Sequence, residues 1–98
     1  MKLIVEVMDI KGKCPVYKTG DKIVLDEGYK VNLKETDKIC MHSLASLLPY
    51  YNALAKGISP VELGLAKKGV EAFIQCLDSQ EHTDGGTVTF RIKRDSSG

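Results

Sequence analysis

The sequence predicts an α+β domain: a mostly antiparallel sheet of four to five strands with a helical pair packed on one face, in the order β-β-β-α-α-β-β. Three observations lead there. Apolar residues alternate at Leu3, Val5 and Val7, and again at Val88, Phe90 and Ile92, the two-residue period of a strand with a buried face. Between them, from Cys40 to Ala55, the period lengthens to three and four residues, as on the core-facing side of a helix. The 98 residues, 43% hydrophobic and 28% charged, suit one core and are too few for two.

The first strand is rich in β-branched residues, and Ile4 and Met8 on its second face predict that it is covered on both sides. Gly12 to Gly20 reads as linker and turn, and Lys22 to Glu27 as a second strand closed by Gly28. Tyr29, Val31 and Leu33 then alternate with Lys30, Asn32 and Lys34. They give either a third strand, in a hairpin around Asp26-Glu27-Gly28, or an extended lead into the helix.

The helix carries Cys40, Leu44, Leu47, Leu48, Tyr51, Leu54 and Ala55 on one stripe. Thr36 or Asp37 can cap its start, and Gly57 can end it in the left-handed conformation. Pro49 lies inside this pattern, where the missing amide and the ring's clash with the preceding turn predict a kink or a break. Ser59-Pro60-Val61-Glu62 is the start signature of a second, short helix ending near Gly69.

Val70, Ala72, Ile74 and Cys76 alternate with Glu71, Phe73, Gln75 and Leu77, apolar enough on both faces for a central strand. The polar run DSQEHTDGG from Asp78 joins it to the last strand, with pairing across the Asp84-Gly85-Gly86 turn. The globular domain is expected over residues 1–94, and Asp95-Ser96-Ser97-Gly98 as a frayed tail.

Lys and Arg number 14 against 13 Asp and Glu, a net charge of +1, so no global field favours nucleic acid or an anionic membrane, and neither is an expected partner. Lys11, Lys13, Lys18 and Lys22 cluster, but Asp9, Asp21, Asp26 and Glu27 flank them, as on a solvated mixed face. The opening MKLIVEVMDI is too short and too charged for a signal peptide or a membrane span, and the expected location is the cytoplasm. In a reducing compartment an odd count of three cysteines argues against a disulfide framework.

No phosphate-binding glycine loop, nucleophile elbow, CxxC or HExxH occurs. The cysteines stand out through topology. Cys14 follows the first strand, Cys76 lies near the end of the fourth, and Cys40 sits in the first turn of the long helix, where free amides favour a thiolate. If both strand ends face that helix start, three sulfurs meet, and His42 or His82 can add a fourth ligand. That set suits zinc, with iron the other ion.

Two features count against it: the cysteines are far apart, unlike the paired ligands of structural zinc sites, and Cys40 and His42 point to nearly opposite sides of a regular helix. Free cysteine is also among the most buried residue types, and packing is the competing explanation for all three.

The turns GKCP and KTGD, the helix opening ICMHSLASLLPYY and the late QCLD before DGGTVTF resemble an uncharacterised family of short bacterial and archaeal proteins. Its marks are a Gly-x-Cys-Pro turn, a Lys-x-Gly-Asp turn, a Cys-led helix containing Pro, and a late Cys-x-Asp. The resemblance runs from Val5 to Ile92 and falls on Gly12, Cys14, Pro15, Lys18, Gly20, Asp21, Cys40, Pro49, Cys76 and Asp78. Ser79 stands where that family tends to carry Pro. The resemblance implies no activity, substrate or cofactor, but it singles out the same three cysteines.

The leading expectation is therefore a small domain with a cysteine-thiolate metal site at Cys14, Cys40, Cys76 and His42. The alternative is a non-catalytic module that pairs through a sheet edge or an apolar helix face, with itself or a protein partner, and buries its cysteines as packing. A third reading is a thiol redox protein or a cysteine enzyme with Cys40 as nucleophile and His42 or His82 as base.

Overall fold

Strand β1 (Lys2–Gly12) pairs antiparallel with both β2 (Lys22–Asp26) and β5 (Gly86–Asp95), which places it at the centre of the sheet. Outside β2 lies the two-residue β3 (Lys30–Val31), and outside β5 lies β4 (Ala72–Gln75), giving the order β3-β2-β1-β5-β4. The computed structural model describes residues 1–96. β5 runs on through Asp95, opposite Lys2, where the tail was expected to begin; positions 97 and 98 of that tail lie outside the described residues.

Leu3, Val5 and Val7, Ile23, Ala72 and Ile74, and Val88, Phe90 and Ile92 form the buried core. Phe90 is wholly buried, and truncating such a side chain to Ala costs about 3–5 kcal/mol. The opposite face of the sheet is not covered as expected: Met8 is 40% exposed, and Glu6 there accepts a 2.6 Å hydrogen bond from Arg91.

Val7 pairs with Phe90 and Asp9 with Thr89, so Met8 is the extra residue of a β-bulge. An inserted residue reverses the in-out alternation beyond it. That reversal brings Ile10 onto the core, opposite Val88.

The strand expected at the centre, β4, is instead an edge. Its second face is open, with Phe73 and Gln75 exposed and Leu77 just beyond exposed as well. The Phe73 amide donates not to a strand but to the Leu65 carbonyl, at 2.8 Å.

The helical pair on the core side consists of α1 (Met41–Leu47) and α2 (Tyr51–Ala55), the two halves of the single expected helix, broken by a turn at Pro49. α1 packs against β4, and α2 against β1 and β5. Gly57 ends α2 at φ +84°, with the Ile58 amide on the Ala53 carbonyl and the Gly57 amide on Leu54, a two-bond closure that only a left-handed residue allows.

The expected second helix does not form. Ser59 does cap a turn, its hydroxyl accepting from the Val61 amide at 3.2 Å and its carbonyl from Leu63. Gly64 then turns left-handed at φ +75° and stops the helix after that single turn.

Thr36 and Asp37 also work elsewhere. Their side chains accept from the amides of Val24 and Lys22 along the edge of β2. The residue before α1 is Cys40, in extended backbone at φ −91° and ψ 136°. The buried stripe of α1 is Ser43, Ser46 and Leu47, while Leu48 is exposed. The serines tolerate burial because their hydroxyls donate to the carbonyls of Cys40 and His42. Among the described residues, no helix is long and apolar enough to cross a membrane.

The KTGD turn joins β1 to β2 through a buried carboxylate. Asp21 is 3% exposed, and its side chain accepts from the Lys18 amide at 3.0 Å and the Lys38 ammonium at 3.3 Å. Those bonds, the Lys18 amide foremost, hold its carboxyl below the ordinary value against the opposing effect of burial. A depressed carboxyl stabilises the fold above its unfolded-state pKa of about 3.9, and the contribution is lost as pH falls through the folded value. Asp21→Ala is therefore expected to cost about 1–3 kcal/mol near neutrality in urea unfolding. Its deficit against the parent should shrink as pH falls below about 4.

Candidate functional site

The chain leaves β1 at Gly12, whose φ of +86° turns it back across the far end of β5. The Lys13 amide donates to the Gly85 carbonyl at 3.0 Å. Cys14 then passes so close to Gly86 that a Cβ there would lie 2.6 Å from the Cys14 nitrogen and 2.8 Å from the Lys13 carbonyl carbon. No side chain fits at position 86 without moving backbone. Cys14 is thereby pressed against the strand that also carries the partners of Cys76.

Cys76 extends the β4 ladder by one bond, its amide donating to the Val88 carbonyl at 2.9 Å. Its buried sulfur accepts from the Val88 amide at 3.2 Å and donates to the Gly86 carbonyl at 3.6 Å. Asp78, two residues on, organises the connection to β5. Its carbonyl accepts from the Thr87 hydroxyl at 2.6 Å, and its carboxylate accepts from the Thr83 hydroxyl. A short 3-10 turn, Gln80–His82, lies between.

Tyr17 ties the third cysteine to the first. Its amide donates to the Cys14 sulfur at 3.4 Å. Its ring packs edge-on to Phe90, centroids 5.6 Å apart at 89°, and its hydroxyl accepts from the Cys40 amide at 2.7 Å. The Ser43 hydroxyl spends its single proton on the Cys40 carbonyl, so the 2.7 Å contact between Tyr17 and Ser43 is a donation by the phenol. Three hydrogen bonds thus close a ring through Tyr17, Ser43 and Cys40. Burial holds the phenol above its ordinary pKa, and the nearby Cys40 and Cys14 push the same way against the two hydrogen bonds.

The outcome is a cavity of about 230 Å³ lined by Cys14, Cys40 and Cys76 together with His42 and Asp78. Pro15, Val16, Tyr17, Gly86 and Val88 complete its wall. All three cysteines are free thiols, Cys14 and Cys40 half-buried and Cys76 buried. His42, although exposed, lines the same cavity as Cys40, which precedes the helix in extended backbone. His82 does not. It borders a separate shallow concavity with Ser79, Gln80, Glu81 and Thr87.

The cavity gathers these side chains without assembling a coordination shell: among the described residues, no three His, Cys, Asp or Glu groups are placed to hold a metal ion. Sequence reasoning passed over Tyr17 and Ser43. Cys-Pro-x-Tyr, with an amide returning to a sulfur three residues back, was the only local signal for the first.

Tyr17→Phe keeps the ring on Phe90 but strands the Cys40 amide and removes the donor to the Ser43 hydroxyl, which keeps its bond to the Cys40 carbonyl. It is expected to cost about 1–3 kcal/mol in denaturant unfolding and to raise the reaction rate of Cys40 with a thiol reagent, as the start of α1 loosens. Unchanged stability and unchanged thiol reactivity would contradict the ring's role.

Against protein-family models, curated proteins and solved structures, the chain finds no match.

Proposed function

We propose that this domain binds a thiophilic metal ion in the cavity between the β1–β2 loop, the start of α1 and the β4–β5 connection. One observation carries the reading: three cysteines remote from one another in the chain line a single cavity with a histidine at its side. Cys14, Cys40, Cys76 and His42 are the side chains from which its donors are drawn. Metal–sulfur bonds are about 2.3 Å long, so binding requires the donor sulfurs to close on the ion. The resemblance that marks the same three cysteines supports the reading too.

Its test is metal analysis of the protein purified without a metal-affinity tag, paired with thiol titration before and after denaturation. The expected result is close to one equivalent of metal, with bound thiols masked until a chelator or denaturant releases them. Protein that holds no metal, and whose thiol reactivity added metal leaves untouched, overturns the proposal.

A second reading, a module that pairs with another protein or with itself, draws on a different surface. An apolar groove of about 190 Å³ lies between α1 and the β2–β3 edge, bordered by Tyr29 at 69% and Leu48 at 56% exposure. If that surface associates, Leu48→Lys should abolish a concentration-dependent increase in sedimentation that Cys→Ser variants leave unchanged.

A further inference from the structure

We propose that the ion held here is a soft monovalent cation of the cuprous class, bound in two-coordinate fashion by Cys14 and Cys40, with Cys76 remaining a neutral structural thiol. The inference rests on the metal-binding reading and divides its donors by what each already does.

The Cys76 sulfur is committed on both sides. It accepts from the Val88 amide and donates its proton to the Gly86 carbonyl, and it belongs to the buried core. Turning it toward an ion would strand both partners under the sheet, and each buried polar group left unpaired is costly. Asp78 is committed too, its carboxylate taken by Thr83 and its carbonyl by Thr87.

The other two thiols are differently placed. Cys14 sits on the loop leaving β1 and Cys40 on extended backbone before α1, both half-buried and both lining the cavity. Tyr17 grips both segments, its amide on the Cys14 sulfur and its hydroxyl on the Cys40 amide, so the two cysteines flank one residue. The Tyr17 amide already points at a sulfur, and a hydrogen bond of that kind strengthens when the sulfur becomes a thiolate.

Zinc asks for four donors in a tetrahedron, more than this division leaves. Soft thiolates select cuprous ion, which accepts two. On binding, each thiol gives up its proton and forms one sulfur–metal bond, so two protons leave and the complex carries a single negative charge with no change of oxidation state. A singly charged complex suits a wall that includes Pro15, Val16 and Val88, because burial of charge is penalised in proportion to how much is buried.

The test titrates reduced full-length protein under nitrogen with cuprous ion against a coloured cuprous chelator, and in parallel with zinc against a zinc indicator. One equivalent of cuprous ion with two sulfur scatterers in X-ray absorption is the expected result. Cys14→Ser and Cys40→Ser should each weaken binding by about 100-fold or more, since even outer partners of a metal ligand are worth 10–100-fold. Cys76→Ser, or Cys76→Ala should the serine variant fail to fold, should keep affinity within about tenfold. Zinc bound at one equivalent with three thiols masked would overturn this inference and leave the metal-binding reading standing. Binding of neither ion would overturn both. Cuprous affinity equal in urea-unfolded chain, or unmoved by the Cys14 and Cys40 variants, would reduce the site to ordinary thiol chemistry and overturn the inference.

Discussion

A phenol hydroxyl carried under a sheet must be given hydrogen bonds there, because leaving it unpaired costs about 1–3 kcal/mol. Much of this molecule is arranged around meeting that requirement at Tyr17. The ring closes the core over Phe90, and the hydroxyl is met by the amide of Cys40 and the hydroxyl of Ser43. The residue that completes the hydrophobic core is thus the one that fixes where α1 begins. With α1 fixed, Cys40 and His42 face the loop that carries Cys14.

The opposite wall depends on an absence of side chains. Gly86 lets the Cys14 backbone lie directly on β5, and the carboxylate of Asp78 packs against Gly85 in the same way. The cysteine cavity is therefore bounded on one side by the β4–β5 ladder and its glycines, and on the other by the Cys14 loop and the start of α1.

Legibility from sequence followed the range of the interaction. Alternation at Leu3, Val5, Val7 and at Val88, Phe90, Ile92 identified the central strands, because side-chain direction in a strand is set by adjacent residues. That the three cysteines border one cavity was legible in outline, since strand ends and a helix start are few and topology limits how they face one another; whether they close on an ion was not, and among the described residues no three such groups are placed to do so. What was hidden turned on single residues with long-range consequences. The bulge at Met8 reverses parity without changing residue type, Gly64 cancels a strong helix start, and Ser43 and Ser46 look solvent-facing until their hydroxyls return to the backbone. The edge position of β4 was illegible for a similar reason: apolar residues on both faces signal burial only when something covers the second face.

The central pairing of β1 with β5 has a consequence for how the molecule is made. Glu6 and Arg91, which meet across those strands, are 85 residues apart, so the core closes only by joining distant parts of the chain, a pairing that is slow to form. During synthesis Leu3, Val5 and Val7 emerge well before β5, and the edge of β1 that β5 fills stays open until those residues have left the ribosome. The hairpin with β2 gives that strand one early neighbour on one side only. Until β5 pairs, the sheet is incomplete, and the open edge of β1 is the kind of unpaired strand edge that makes a folding intermediate prone to association.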